Sequence, residues 1–150
     1  MQGLAENKRA RFDYELLETF QAGIELTGHE VKSLKLRGGS LVGAHVIVRN
    51  NEAKLVGLEI PSFQPKNAPH EYDATRTKRL LLKKDELKHL FGKTQEGLTI
   101  VPIKLYNNKR GLIKIEIALA RGRKKHDKRE LLKKRDAEAE IRRHTRGKER

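Results

Sequence analysis

Residues 98–120, LTIVPIKLYNNKRGLIKIEIALA, carry the clearest pattern in the chain. Ile113, Ile115, Ile117 and Leu119 alternate with Lys114 and Glu116, the period of a strand with one buried and one wet face. Residues 98–106 pair with it across 107–111, a polar connection ending in glycine that suits a hairpin. Upstream, 44–49 and 52–60 read as a second hairpin. It is joined at Asn50 and Asn51, which tolerate positive φ better than most residues. A short strand covers 77–82. From Phe12 the even positions Phe12, Tyr14, Leu16, Phe20, Ile24 and Leu26 are apolar among Asp13, Glu15, Thr19 and Glu25. A first strand therefore begins there, with Gly23 marking a bulge or bend.

Two helices interrupt the strands. Thr27 and Glu30 have the spacing of a capping box, Val31 and Leu34 share one helical face, and Gly38 and Gly39 supply a stop, which predicts a helix of two turns. Asp85 is placed to cap another helix, with Leu87, Leu90 and Phe91 on one face and Gly92 at its end. Pro61, Pro65 and Pro69 punctuate a loop reaching Thr75, long enough to suggest a functional role. Short strands separated in this way close more readily into a small antiparallel barrel than into an open sheet with bare edges. The expected fold is mainly β: an OB-like closed antiparallel barrel of about six strands with two or three short helices. Other small barrels and a ribosomal-protein α+β fold share that strand count. The chain divides into an N-terminal arm (1–11), the barrel (12–120) and a basic C-terminal tail (121–150), the tail disordered when free.

The tail holds fourteen Lys and Arg against six Asp and Glu, a net +8 out of the +14 of all 150 residues. It has too few apolar side chains to bury a core. Dense cations gain free energy by neutralising phosphates and releasing counterions, so the expected partner is a polyanion bound with steep salt dependence. Aromatics make up only 5% of the residues, and Phe12, Tyr14 and Phe20 share the expected inward face of the first strand, which leaves few rings to stack on splayed bases. Structured RNA, which presents phosphates and 2′-hydroxyls, is preferred, and charge alone leaves duplex DNA open.

Catalysis finds no support. Cysteine is absent, the six histidines show no metal-ligand spacing, no carboxylate pair stands out, and no phosphate-binding glycine loop or nucleophile elbow occurs. No cofactor or metal is expected. The absence of cysteine fits a reducing compartment, no apolar run approaches the roughly 20 residues of a membrane span, and MQGLAENKRARF lacks a signal-peptide core. A cytoplasmic monomer is expected. A structural ribosomal protein, a general structured-RNA-binding OB protein and an RNA-processing enzyme carrying an OB module remain open on composition.

Four segments resemble successive signatures of the SmpB family of SsrA-binding proteins of bacterial trans-translation: NKRARFDY (7–14), ETFQAGIELTGHEVKSLKLRGGSL (18–41), EYDATRTKRLLL (71–82) and ARGRKKHDKR (120–129). The resemblance implies an OB-type barrel that binds the tRNA-like domain of tmRNA and delivers it to the vacant A site of a stalled ribosome, with the small-subunit decoding centre, mRNA channel and 16S rRNA as further partners. It implies RNA contacts at or beside Asn7, Arg9, Arg11, Phe12, Gln21, Glu30, Lys32, Arg37, Arg76, Arg79 and Leu81. It implies decoding-centre and mRNA-channel contacts at Gly122, Lys124, His126, Asp127, Lys128, Arg129, Lys133, Lys134 and Arg135. Family members commonly carry Glu where this chain has Gln21, His where it has Phe12 and Pro where it has Ala74.

Two residue-level readings stand beside the resemblance. Glu30 is equally placed to cap its own helix, and Leu81 sits in an apolar triplet that suits core as well as contact surface. In the tail, Asp127 and Glu130 have cap spacing, and Glu130–Lys134 and Glu138–Arg142 are favourable i, i+4 pairs. A helix from about 127 onward is expected to form inside the empty mRNA channel.

Overall fold

The computed structural model describes residues 2–62, 72–123, 129 and 132–137. The chain runs β1 (Gln2–Glu6), α1 (Ala10–Asp13), β2 (Tyr14–Ile24), α2 (Gly28–Arg37), β3 (His45–Arg49), β4 (Glu52–Val56), β5 (Lys78–Leu81), α3 (Lys84–Gln95), β6 (Thr99–Asn107) and β7 (Ile113–Gly122). Among the described residues all strand pairings are antiparallel. The strands β6, β3, β4, β5, β2 and β7 follow one another and β7 returns to β6, so six strands close into a barrel, as expected. The first strand, β1, adds to the free part of β6, with Gln2 opposite Asn107 and Glu6 opposite Lys104. Residues 2–6 fall within the arm expected over 1–11. The strand is only five residues long, its apolar Leu4 and Ala5 adjacent rather than alternating, and its pairing with β6 is visible only in three dimensions.

The interior is filled by alternate residues of each strand, among them Val46, Val48, Ala53, Leu55, Leu80, Ile100, Leu105, Ile115, Ile117 and Leu119. Leu34 of α2 and Leu87 and Leu90 of α3 join the same cluster, so both helices are held by apolar burial. Each such Leu or Ile contributes about 1.5–3 kcal/mol relative to an exposed one. A second cluster lies on the opposite face of the wall, where Ala10 of α1 meets Val101, Ile103, Ala118 and Ala120 with Tyr14 and Leu16.

Bulges explain how one strand serves both clusters. In β2 the register shifts between Leu16 and Glu18, so Tyr14 and Leu16 belong to the outer cluster whereas Phe20, Ala22 and Ile24 pack into the barrel. A matching shift between Pro102 and Lys104 moves β6 from Ile100 inside to Leu105 inside. The unbroken even run in the sequence is therefore two faces. The expected irregularity at Gly23 is displaced to Leu17, and Phe12 lies in α1 ahead of the strand.

Local chemistry set the remaining boundaries. Asn50 and Asn51 both have positive φ, 51° and 61°, and turn β3 into β4 as expected. The second strand stops at Val56, and Glu59 returns only as an isolated bridge to Ser40. The capping box of Thr27 and Glu30 is present, and α2 runs ten residues before Gly38 ends it at φ 75°. Asp85 lies in the first turn of α3 rather than capping it. Lys83 is the N-cap, supported by Glu86, and the helix passes through Gly92 to Gln95.

Residues 63–71, containing Pro65 and Pro69, lie outside the described residues, as do 124–128, 130–131 and 138–150. Within the tail, Arg121 and Gly122 complete β7, and Arg129 and 132–137 are helical and exposed.

Candidate nucleic-acid interface

The end of the barrel where β2 stops and α2 starts is organised by a buried carboxylate. Capping α2 turns Glu30 inward, and it is only 2% exposed. Its Oε1 accepts from the Thr27 N–H at 2.8 Å and from Arg76 Nη2 at 2.7 Å. Its Oε2 accepts from Arg76 Nε at 3.2 Å and faces Lys78 Nζ at 3.7 Å. Burial pushes the Glu30 carboxyl up, but the Arg76 hydrogen bonds, the Thr27 N–H and the charges of Arg76 and Lys78 outweigh it and hold it below the ordinary carboxylate value. Arg76 gives two further bonds, to the carbonyls of Thr77 and Glu25, and its guanidinium is held above its usual range, chiefly by its hydrogen bond to Glu30.

Around this anchor lies a cationic rim. Lys32 and Arg37 project from α2 into solvent and make no ion pair among the described residues. Lys35 Nζ donates to the Gly111 carbonyl at 3.2 Å, which places α2 against the β6–β7 turn with its exposed Lys109 and Arg110. Arg79 faces outward on β5 opposite Lys54 of β4, and meets Glu25 at 4.0 Å.

A flat strip runs beside the rim. Leu81 is half exposed and pairs with Gly23, which pairs in turn with Lys114. A Cβ at Gly23 would lie 3.2 Å from that of Leu81, so glycine lets this side chain lie across β2. Leu81 is thus exposed surface rather than core. One row along, Gln21 is opposite Glu116 and accepts a hydrogen bond from the Tyr106 hydroxyl. Glu116 pairs with Lys104 at 3.5 Å, and Lys104 lies over the Tyr106 ring.

The remaining predicted residues sit elsewhere. Tyr14 and Gln21 are at most ~23 Å apart at strand rise, and Arg9, Arg11 and Phe12 precede Tyr14, toward the end of β2 away from Gly23 and Leu81. Asn7 is half-buried and tied to β6: its Nδ2 donates to the Pro102 carbonyl at 3.1 Å and its N–H to that of Ile103 at 2.7 Å. Arg9 stacks over Phe12 and approaches Asp13 at 3.6 Å. Beside them a cleft of about 630 Å³ is lined by residues including Lys8, Arg9, Tyr14, Val42 and His45. The root of the tail is here too. The Arg123 N–H donates to the Asp13 carbonyl at 2.9 Å, and its Nε to that of Arg11 at 3.3 Å.

Of the predicted tail contacts, Gly122 ends β7, Arg129 is helical, and Lys133, Lys134 and Arg135 lie on the exposed helical stretch. Lys124, His126, Asp127 and Lys128 lie outside the described residues. Sequence reasoning missed Lys78, Lys35, Tyr106 and Lys104. Lys78 was detectable, since it shares strand parity with buried Leu80. The Tyr106–Gln21 bond depends on register and left no mark in the sequence.

Comparison with known proteins agrees with this arrangement. The family model described as SmpB protein matches residues 4–147. An SsrA-binding protein of Thermosipho melanesiensis is 47% identical over 148 residues, covering 98% of this chain and all of that one. Another, from Nostoc punctiforme, is 45% identical over 141 residues, covering 93% and 90%. A chain in the solved structure "tmRNA-SmpB: a journey to the center of the bacterial ribosome" superposes with a TM-score of 0.66 at 45% identity, covering 80% of this chain and 84% of that chain. With the closed barrel, its capped α2 and a match over nearly the whole length, the chain belongs to the SmpB protein family.

Proposed function

We propose that this protein binds the tRNA-like domain of tmRNA and delivers it to the vacant A site of stalled ribosomes, where nascent peptides are tagged and the ribosome is rescued. The observation that carries the reading is the cationic rim of α2, β5 and the β6–β7 turn, in a chain whose relatives over nearly their full length are SsrA-binding proteins. Lys32, Arg37 and Arg79 meet phosphates, Leu81 and Gln21 lie against the RNA surface, and Glu30 with Arg76 holds that surface in shape. Asn7, Arg9, Arg11 and Phe12 add RNA contacts from just ahead of β2, and the tail serves the ribosomal side.

The tail's helix is polar on nearly every side and marginal alone, so it is completed when the empty mRNA channel accepts it. A filled channel excludes it by bulk and charge. The protein works by recognition in the cytoplasm, as a monomer with arm, barrel and tail, and performs no chemistry itself.

The test is a binding titration of the full chain against the tRNA-like domain of tmRNA and against an unrelated RNA hairpin of equal length. Preference of at least about tenfold near physiological salt is expected. Equal affinity for the two RNAs rejects the reading.

A further inference from the structure

Lys78 is completely buried, and with Glu30 it makes up the charged interior of the described barrel. Burying an ammonium costs several kcal/mol unless acceptors surround it. A Met of similar length would pack readily beside Leu80 and Leu55. Burial pulls the Lys78 pKa below its usual value, and the Glu30 charge opposes that pull. What the ammonium gains is three acceptors from three separate segments. They are the Leu58 carbonyl after β4, at 3.5 Å, the Arg76 carbonyl before β5, and the Glu30 carboxylate of α2 at 3.7 Å.

The same segments are laced together nearby. Tyr72 donates to the Ile60 carbonyl at 2.6 Å, Ser33 of α2 donates to that of Pro61, and the Ile60 N–H donates to that of Ala74 at 2.8 Å. Arg76 spends four of its five N–H groups on Glu30, Thr77 and Glu25, so its guanidinium is held in one plane. Lys32 lies two residues beyond Glu30 on α2, and Arg79 follows Lys78 on the outer face of β5. The spacing between these two outward cations is thereby set from inside the wall.

We infer that Lys78 is a positioning residue for RNA binding: it fixes α2 against β5 through Glu30 and the flanking carbonyls, and so holds Lys32, Arg79 and Leu81 in the geometry that the RNA backbone meets. This rests on the reading that the tRNA-like domain of tmRNA is the ligand. A buried ion network used in this way sets registry more than stability.

The experiment compares full-length wild type with Lys78→Met, binding the tRNA-like domain at a temperature where circular dichroism shows both folded, across a series of salt concentrations. The expected result is a Kd raised by roughly tenfold with an unchanged salt slope, because the lost cation touches no phosphate. An unchanged Kd in the folded variant overturns the inference. So does a slope reduced by about one, which marks a direct phosphate contact. Should Lys78→Met fail to fold, Lys78→Gln, which keeps Glu30 paired with Arg76 and leaves an amide N–H for the neighbouring carbonyls, decides. It is expected to fold yet still bind weakly, and full affinity reduces Lys78 to a stabilising role. If wild type itself ignores this RNA, the functional reading falls first and the inference with it.

Discussion

Glu30 spends its charge inside the protein, which gives it a pH signature. Its folded-state pKa lies below the ordinary value, so the stabilisation it provides is fully present above the unfolded carboxylate pKa and is lost as pH falls through the lower folded value. Glu30→Gln is expected to flatten the acid limb of a stability–pH curve measured by urea unfolding. At neutral pH it should cost about 3 kcal/mol, because it leaves Lys78 buried without its counter-charge. At this scale the sequence was partly legible. The Thr27–Glu30 spacing foretold the cap, whereas Lys78 went unnoticed although it shares strand parity with buried Leu80. Nothing local foretold that Arg76, forty-six residues along the chain from Glu30, would seize both its carboxylate oxygens. The same holds for Tyr106 and Gln21, where the gap is eighty-five residues. Such pairs are created by register, which one sequence does not state.

Among the elements, α2 depends most sharply on a single residue at its end. Gly38 has φ 75° and ψ −173°, a region almost reserved for glycine, and an added Cβ would stand 2.7 Å from the Leu4 carbonyl oxygen of β1. Gly38→Ala is expected to cost about 1–3 kcal/mol from backbone strain, with further loss from that clash. Thermal melting should show a drop of several degrees or more, whereas Gly92→Ala, in the interior of α3 with open space around it, should raise the melting temperature slightly. The helices and hairpins were readable because capping residues, paired asparagines and alternation are local signals. Bulges are not. Leu17 and Ile103 look like ordinary strand residues, and each reverses the facing of everything beyond it. For that reason one apparent inward face of β2 turned out to serve two clusters.

For the molecule as a whole, body and extension carry separable charges. Residues 124–150 contain twelve Lys and Arg against six Asp and Glu. Truncation after Arg123 is expected to leave affinity for the tRNA-like domain within a few-fold of wild type while abolishing peptide tagging on stalled ribosomes in a reconstituted translation reaction. Collapse of RNA affinity instead would show that the body does not suffice. The barrel itself was foreseeable from strand count and edge avoidance, whereas β1 was not, being too short to show an alternation that would announce a partner strand.

Arg123 is pinned by hydrogen bonds to Asp13 and Arg11, so the body and the origin of the extension turn as one piece. A helix made from the 27 residues beyond it would measure ~40 Å, and a tilt of the barrel by about 10° would sweep its tip through about 7 Å. Small errors in how the cargo seats are thereby magnified into a miss at the far end.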